Sequence, residues 1–257
     1  MPTSHSTTPT PLTISQVPVT GVDVGLAAIY YDGVSVMVDS SAKIASLEDL
    51  EDTTVCTLAD SQSAQELDAE MLWRDLGYDA VSFPTIAEMR AAFEDGRCVA
   101  QVLDRSLLEI IQQSSDNPGS SVVWPVPLTA QPIRPLLPYG DPQWKNIVDW
   151  TIWGLVEAEK LGITSQNIGQ FMRRTNEADA AYGTRVGESV ARLIDAQSGL
   201  GSSLGLTNGY MAQVIAEVGN YGEIYDRNLG PESALVIERG LNALWRDGGL
   251  MEASAWR

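Results

Sequence analysis

The chain is poor in the residues on which much protein chemistry depends. Its only histidine is His5, in a Ser-, Thr- and Pro-rich leader, so histidine-based triads and histidine metal sites are excluded. It has two cysteines, Cys56 and Cys98, too few and too far apart in sequence for a zinc cluster. Sixteen Lys and Arg stand against 34 Asp and Glu, for a formal charge of −18. That balance argues against nucleic acid, which needs clustered cations, and against anionic lipid. No run approaches the roughly 18 consecutive apolar residues of a membrane span, so no direct membrane insertion is expected. The one Gly-Leu-Gly run, at 199–201, lies between helical stretches rather than after a strand, which excludes a phosphate-binding loop. The N-terminus lacks a basic region followed by an apolar one and does not read as a secretory signal. Residues 1–27 are expected to be a flexible tail.

What is present suits a folded chain: 257 residues, 44% hydrophobic and 19% charged, enough for one large or two small cores. Residues 28–38 read as a strand with a bend at Asp32-Gly33. From there short apolar strands alternate with amphipathic helices. Strands are expected at 53–58, 80–83, 98–103 and 122–124, and helices at 62–76, 85–94 and 105–113. That alternation indicates a parallel α/β sheet. The Pro-rich segment 125–138 is extended. Beyond 141 the pattern is almost wholly helical: 142–161, 165–173, 185–197, a loop at 199–205, a helix leading into Gly219, and a further helix ending at Asp247-Gly248-Gly249. The organisation expected is an α/β lobe over 40–127 and a helical part over 141–257. Segments 28–39 and 125–140 run between them as a hinge, with a ligand cleft between the lobes.

Cys56 and Cys98 both open short β-like runs. Buried free thiols and a disulfide are both compatible with that placement.

Three stretches near the C-terminus carry a family resemblance: Asn220-Tyr221-Gly222-Glu223, Arg227-Asn228-Leu229-Gly230 and Arg239-Gly240-Leu241-Asn242-Ala243-Leu244-Trp245. Tyr31-Asp32-Gly33, Met37-Val38 and Gly140-Asp141-Pro142-Gln143-Trp144 extend it. The chain resembles the periplasmic solute-binding proteins of general L-amino-acid ABC transporters, within the family 3 extracellular solute-binding proteins. The resemblance implies a type II periplasmic-binding fold: a two-lobed clamp with one complete parallel α/β lobe and a largely helical remnant of the other. It further implies a Cys56–Cys98 disulfide, an L-amino-acid ligand, permease subunits as partners, a periplasmic location and no cofactor.

Binding a free amino acid needs an anion for the ammonium and donors for the carboxylate. Two places qualify. Asp104 ends a strand and precedes a helix, so it is either a helix cap or an ammonium partner; the resemblance places the family's ammonium-binding Asp here. Ser61, Gln62 and Ser63 open the helix after the first strand of the α/β lobe, where backbone N–H groups and hydroxyls gather. The simpler reading there is helix capping, and the resemblance implies the family's ligand-binding loop. Asp60 stands where the family has Gly, adding charge and removing backbone freedom. Ser35 likewise replaces a Gly.

The family also has an N-terminal segment with no counterpart in this sequence, which carries an Arg for the ligand carboxylate. A truncated binding protein is therefore expected. Its function is to capture L-amino acids for a transporter. A non-binding interaction or sensory remnant of the fold is the alternative, and a dehydratase-like enzyme using an Asp or Glu base is a further one.

Overall fold

The computed structural model describes residues 21–176, 185–194 and 199–254. Most of the expected tail, and the last residues of the helix expected at 185–197, lie outside the described residues. Within 21–27, expected as part of the tail, Val22–Val24 forms a strand, β1.

A five-stranded sheet builds the α/β lobe. Its strands are β3 (Val34–Asp39), β4 (Thr54–Leu58), β5 (Asp79–Phe83), β6 (Ala100–Asp104) and β7 (Ser121–Val123), in the order β5-β4-β6-β3-β7. β4 runs parallel to both β5 and β6. β3 runs antiparallel to both β6 and β7. The sheet is therefore mixed rather than wholly parallel. Strand–helix alternation fixes the direction of β4 to β7, but β3 enters directly from β2 (Tyr30–Asp32) and takes the opposite direction.

The period of two assigns the side chains of each strand to the two faces. Val34, Val36, Val38, Val55, Ala100 and Val102 face one way, and pack with Leu67 and Met71 of α1 (Gln62–Trp73). Met37, Cys56 and Leu103 face the other way. They pack with Met89 and Ala92 of α2 (Ile86–Glu94) and with Leu108 and Ile111 of α3 (Arg105–Gln113). The Cys56–Cys98 disulfide forms within this second core, tying β4 to the residues that lead into its neighbour β6.

Two short antiparallel pairs leave the sheet. β2 pairs with β8 (Gln131–Ile133) and β1 pairs with β9 (Leu136–Pro138). The break between β2 and β3 falls at Gly33, where a Cβ would come within 1.8 Å of the Thr129 carbonyl oxygen.

The rest of the described chain is mostly helical. α4 (Pro142–Lys160) starts at an Asp141 cap, whose carboxylate accepts from Trp144 N at 2.9 Å. α5 (Ile168–Asn176), α6 (Arg185–Ile194), a short α7 (Leu200–Ser203) within the expected loop, and α8 (Tyr210–Val218) follow. Residues of α4, α5, α6 and α8 share a core around Met211 and Ile215. α9 (Tyr221–Asn228) opens with a capping box. Asn220 Oδ1 accepts from Glu223 N at 2.9 Å, and Asn220 N donates to Glu223 Oε2 at 2.8 Å. Glu223 also accepts from Ser165 N and Oγ.

The helix expected to end at Asp247 does not form. After α9 the described residues are irregular apart from two single 3-10 turns, Gly240–Asn242 and Trp245–Asp247, and a lone bridge between Leu244 and Met251. Val236, Gly240 and Gly248 adopt positive φ, which no continuous α-helix accommodates.

The resemblance motifs prove to be packing devices. Arg239 donates to both carboxylate oxygens of Glu159, at 2.8 and 3.1 Å, and lies over the rings of Tyr221 and Tyr225. Asn242 holds the backbone of Tyr31 at both its amide (2.6 Å) and its carbonyl (2.9 Å). Those bonds tie the C-terminal segment to β2 across 211 residues of sequence.

Candidate functional site

β4 and β6 are parallel neighbours, so their carboxyl ends emerge side by side. That edge is the usual ligand position in an open α/β sheet. It brings Asp104, at the end of β6, next to the turn Ala59–Ser63 after β4.

Asp104 occupies the N-cap position of α3, yet its side chain makes no capping bond. Asp32 does that work instead. Its carboxylate accepts from Ser106 N at 3.2 Å and from the Ser106 hydroxyl, and also from Gly33 N at 2.9 Å. A cap delivered from 74 residues away leaves the Asp104 carboxylate uncommitted. Burial raises the pKa of Asp104, and the nearby Asp32 and Glu66 carboxylates raise it further. Three acidic side chains therefore share this edge.

Glu66 was not singled out from the sequence. It lies on α1, and its Oε1 accepts from Gln62 Nε2 at 2.6 Å and from Gln131 Nε2 at 3.0 Å. Its Oε2 is buried and has no hydrogen-bond partner. None of the ion pairs among the described residues involves Asp104, Asp32 or Glu66. An edge of this kind suits an ammonium group.

Ser61 is the N-cap of α1. Its hydroxyl accepts from Ala64 N at 3.2 Å and donates to the Leu58 carbonyl at 2.8 Å. Ser63 Oγ donates to Ser61 Oγ at 3.1 Å, and Gln62 is committed to Glu66. The capping expected as the simpler reading is thus present. Asp60 takes φ 56°, a left-handed position that Gly adopts freely and Asp at modest cost.

A second polar feature lies on α3 itself. Arg105 Nη2 and Glu109 Oε1 form an ion pair at 2.7 Å, and both residues are only 9% exposed. They line a cleft of about 260 Å³ bounded also by Gln112, Val123 and Leu235–Glu238. Burial pushes the Glu109 carboxyl up to about 7, against the pull of Arg105, with Asp32 and Glu238 adding repulsion. No group of His, Cys, Asp and Glu among the described residues has the arrangement of a metal site.

An α/β lobe tied by two paired crossing segments to a helical part, with its candidate site at the carboxyl edge of the sheet, defines a two-lobed clamp of the periplasmic-binding type. The comparisons agree. No family profile matches the chain. The general L-amino acid-binding periplasmic protein AapJ of Rhizobium johnstonii is 34% identical over 226 residues, 87% of this chain. The glutamate/glutamine/aspartate/asparagine-binding protein BztA of Rhodobacter capsulatus is 30% identical over 232 residues, 90% of this chain. The chain spans 63% of the length of AapJ and 66% of that of BztA. Among solved structures, an ABC transporter periplasmic binding protein from Brucella ovis with glutathione bound superposes with a TM-score of 0.71. It is 32% identical, and the alignment covers 96% of this chain and 74% of that one. The chain belongs to the family of periplasmic binding proteins of amino-acid ABC transporters, and its fold is the type II clamp of that family. These relatives are transport binding proteins. No helix among the described residues is long and apolar enough to cross a membrane.

Proposed function

We propose that the chain is the substrate-binding component of an amino-acid ABC transporter, working in the periplasm. It captures L-amino acids and presents them to the permease subunits. The observation that carries this reading is the free carboxylate of Asp104. It lies at the carboxyl edge of the sheet, unused in capping and flanked by Asp32 and Glu66. In this reading Asp104 holds the ligand's ammonium. The N-terminus of α1, with Ser61, Gln62 and Ser63, faces its carboxylate. Segments 28–39 and 125–140 form the hinge between a lobe at 40–127 and the helical part at 141–257. The relatives named for general L-amino acids and for glutamate, glutamine, aspartate and asparagine support this ligand class.

Thermal unfolding in the presence of each of the 20 L-amino acids tests the reading. A ligand at 100 times its Kd stabilises the folded state by about 2.7 kcal/mol, which raises the midpoint by several degrees. At least one amino acid is expected to do so; no shift with any of them at millimolar concentration would refute the reading. One observation favours a second reading, a non-binding interaction or sensory module of the same fold. The hydroxyls of Ser61 and Ser63 are already committed within the turn, which leaves fewer donors for a carboxylate. That reading predicts the flat outcome.

A further inference from the structure

The Arg105–Glu109 pair stands where three parts of the molecule meet. α3 belongs to the sheet lobe. β2 contributes Tyr30, whose ring stacks on Tyr225 of α9 with centroids 6.4 Å apart. The C-terminal segment contributes Gly240, where a Cβ would lie 2.2 Å from Arg105 Nη1. The guanidinium therefore packs directly on that backbone, and any side chain at 240 would expel it.

The pair is incompletely satisfied. Arg105 Nε and Glu109 Oε2 are buried and have no hydrogen-bond partners. Desolvating two charges is offset only when the remaining donors and acceptors are also paired. Arg105 is also the residue after Asp104, and its amide donates to the Gly33 carbonyl at 2.8 Å. Asp104 and Arg105 thus share the peptide unit that opens α3.

We infer that Arg105 and Glu109 are positioning residues for Asp104 and form a proton-operated joint between α3 and segment 235–242, tight when Glu109 holds its proton and slack when it has lost it. The positioning of Asp104 rests on the amino-acid-binding reading; the joint itself does not.

The groups that face Glu109 fix the sign. Arg105 lies on its own helix. Asp32 and Tyr30 come from β2, Tyr225 from α9 and Glu238 from the C-terminal segment. Arg239, over Tyr225, is already paired with Glu159. Burial outweighs the single cation, and two carboxylates oppose the charge. The folded-state pKa, about 7, therefore lies above the ordinary 4.5. A native state that binds the extra proton loses stability as pH rises through that window. Above about pH 7 Glu109 is charged and that contribution to the closed joint is gone.

Amide hydrogen exchange on the full chain tests this. The reporters are the Tyr31 amide, which donates to Asn242 Oδ1 across the joint, and the Arg105 amide. In the wild type their protection factors are expected to fall about tenfold between pH 6 and pH 8, the factor for one proton unbound over one pH unit. In Glu109→Gln, neutral at every pH, they stay level. Equal pH slopes in the two proteins would overturn the inference. Should the variant fail to fold, a ¹³C titration of the Glu109 carboxyl in the wild type decides. A midpoint near 7 supports the joint, and one near 4.5 overturns it. Calorimetry with L-glutamine at pH 6 and pH 8 supplies the ligand arm. A pH-dependent affinity that Glu109→Gln abolishes supports the positioning role. Equal pH dependence in both proteins removes that role. If no heat appears, the binding reading and the positioning role fail while the exchange data still decide the joint. If binding is intact and exchange slopes are equal, the joint fails and the binding reading stands.

Discussion

Replacing Asp149 by alanine removes the anchor that holds residues 25–27 against α4. The side chain is 2% exposed. Its Oδ1 accepts from Leu26 N at 2.7 Å and from Ala27 N at 3.0 Å, and its Oδ2 from Lys145 Nζ at 3.1 Å. Alanine leaves two backbone donors without their acceptor and takes the anion from Lys145, whose Nζ keeps only the Val24 carbonyl at 2.8 Å. Hydrogen bonds to a charged group contribute about 1.5–3 kcal/mol each. Lys145, whose side chain is 21% exposed, contributes about 1 kcal/mol or less. Because the three contacts share one carboxylate they do not add fully, and breaking a buried charged network of this kind costs about 3–5 kcal/mol. Asparagine keeps Oδ1 for the two amides and forfeits the charge, so its cost is about 1–2 kcal/mol. Urea unfolding followed by tryptophan fluorescence reads both values from the midpoint shift at constant slope. An alanine cost below about 1 kcal/mol, or equal costs for alanine and asparagine, would show that Asp149 is no such anchor.

Joining residues 42 positions apart, the Cys56–Cys98 bond removes loop-closure entropy worth about 4 kcal/mol on the chain-entropy account. The double alanine variant should therefore unfold at markedly lower urea concentration than the oxidised protein, and an unchanged midpoint would contradict that. Gly33→Ala forces a Cβ into the Thr129 carbonyl. It should cost several kcal/mol, as backbone collisions of this kind do, and loosen the β2–β8 pair in hydrogen exchange; wild-type stability would contradict the assignment of that contact.

Much of the fold was legible because its signal is local. Val34, Val36 and Val38 against Met37 announce a strand covered on both faces. Leu67 and Met71 announce the inner face of α1. The Asp32-Gly33 bend separates β2 from β3 where expected. The direction of β3 was not legible, because strand polarity depends on where the chain enters the sheet and not on its pattern. The missing helix before Asp247 has a similar cause. Leu235, Leu241 and Leu244 suggest a helix. The positive φ at Val236 and Gly240, and the grip of Asn242 on Tyr31, impose another path.

The site divides in the same way. Asp104 could be placed at a strand end from sequence alone. That Asp32 takes over the capping of α3, and so frees Asp104, is a contact between residues far apart in the chain. Glu66 looked like any outer helix residue until α1 was set beside Gln131. The motif residues that carry the family resemblance, Asn220, Glu223, Arg239 and Asn242, turn out to join elements rather than to line the sheet edge.

Isothermal titration calorimetry of L-glutamine and the other L-amino acids against the wild type and Asp104→Asn decides whether Asp104 holds a ligand's ammonium. Saturable heat is expected with at least one amino acid in the wild type. In the variant the affinity should weaken by about 10- to 100-fold, the loss of one charged hydrogen bond. Equal affinity in the two proteins, or no heat in either, would contradict that role.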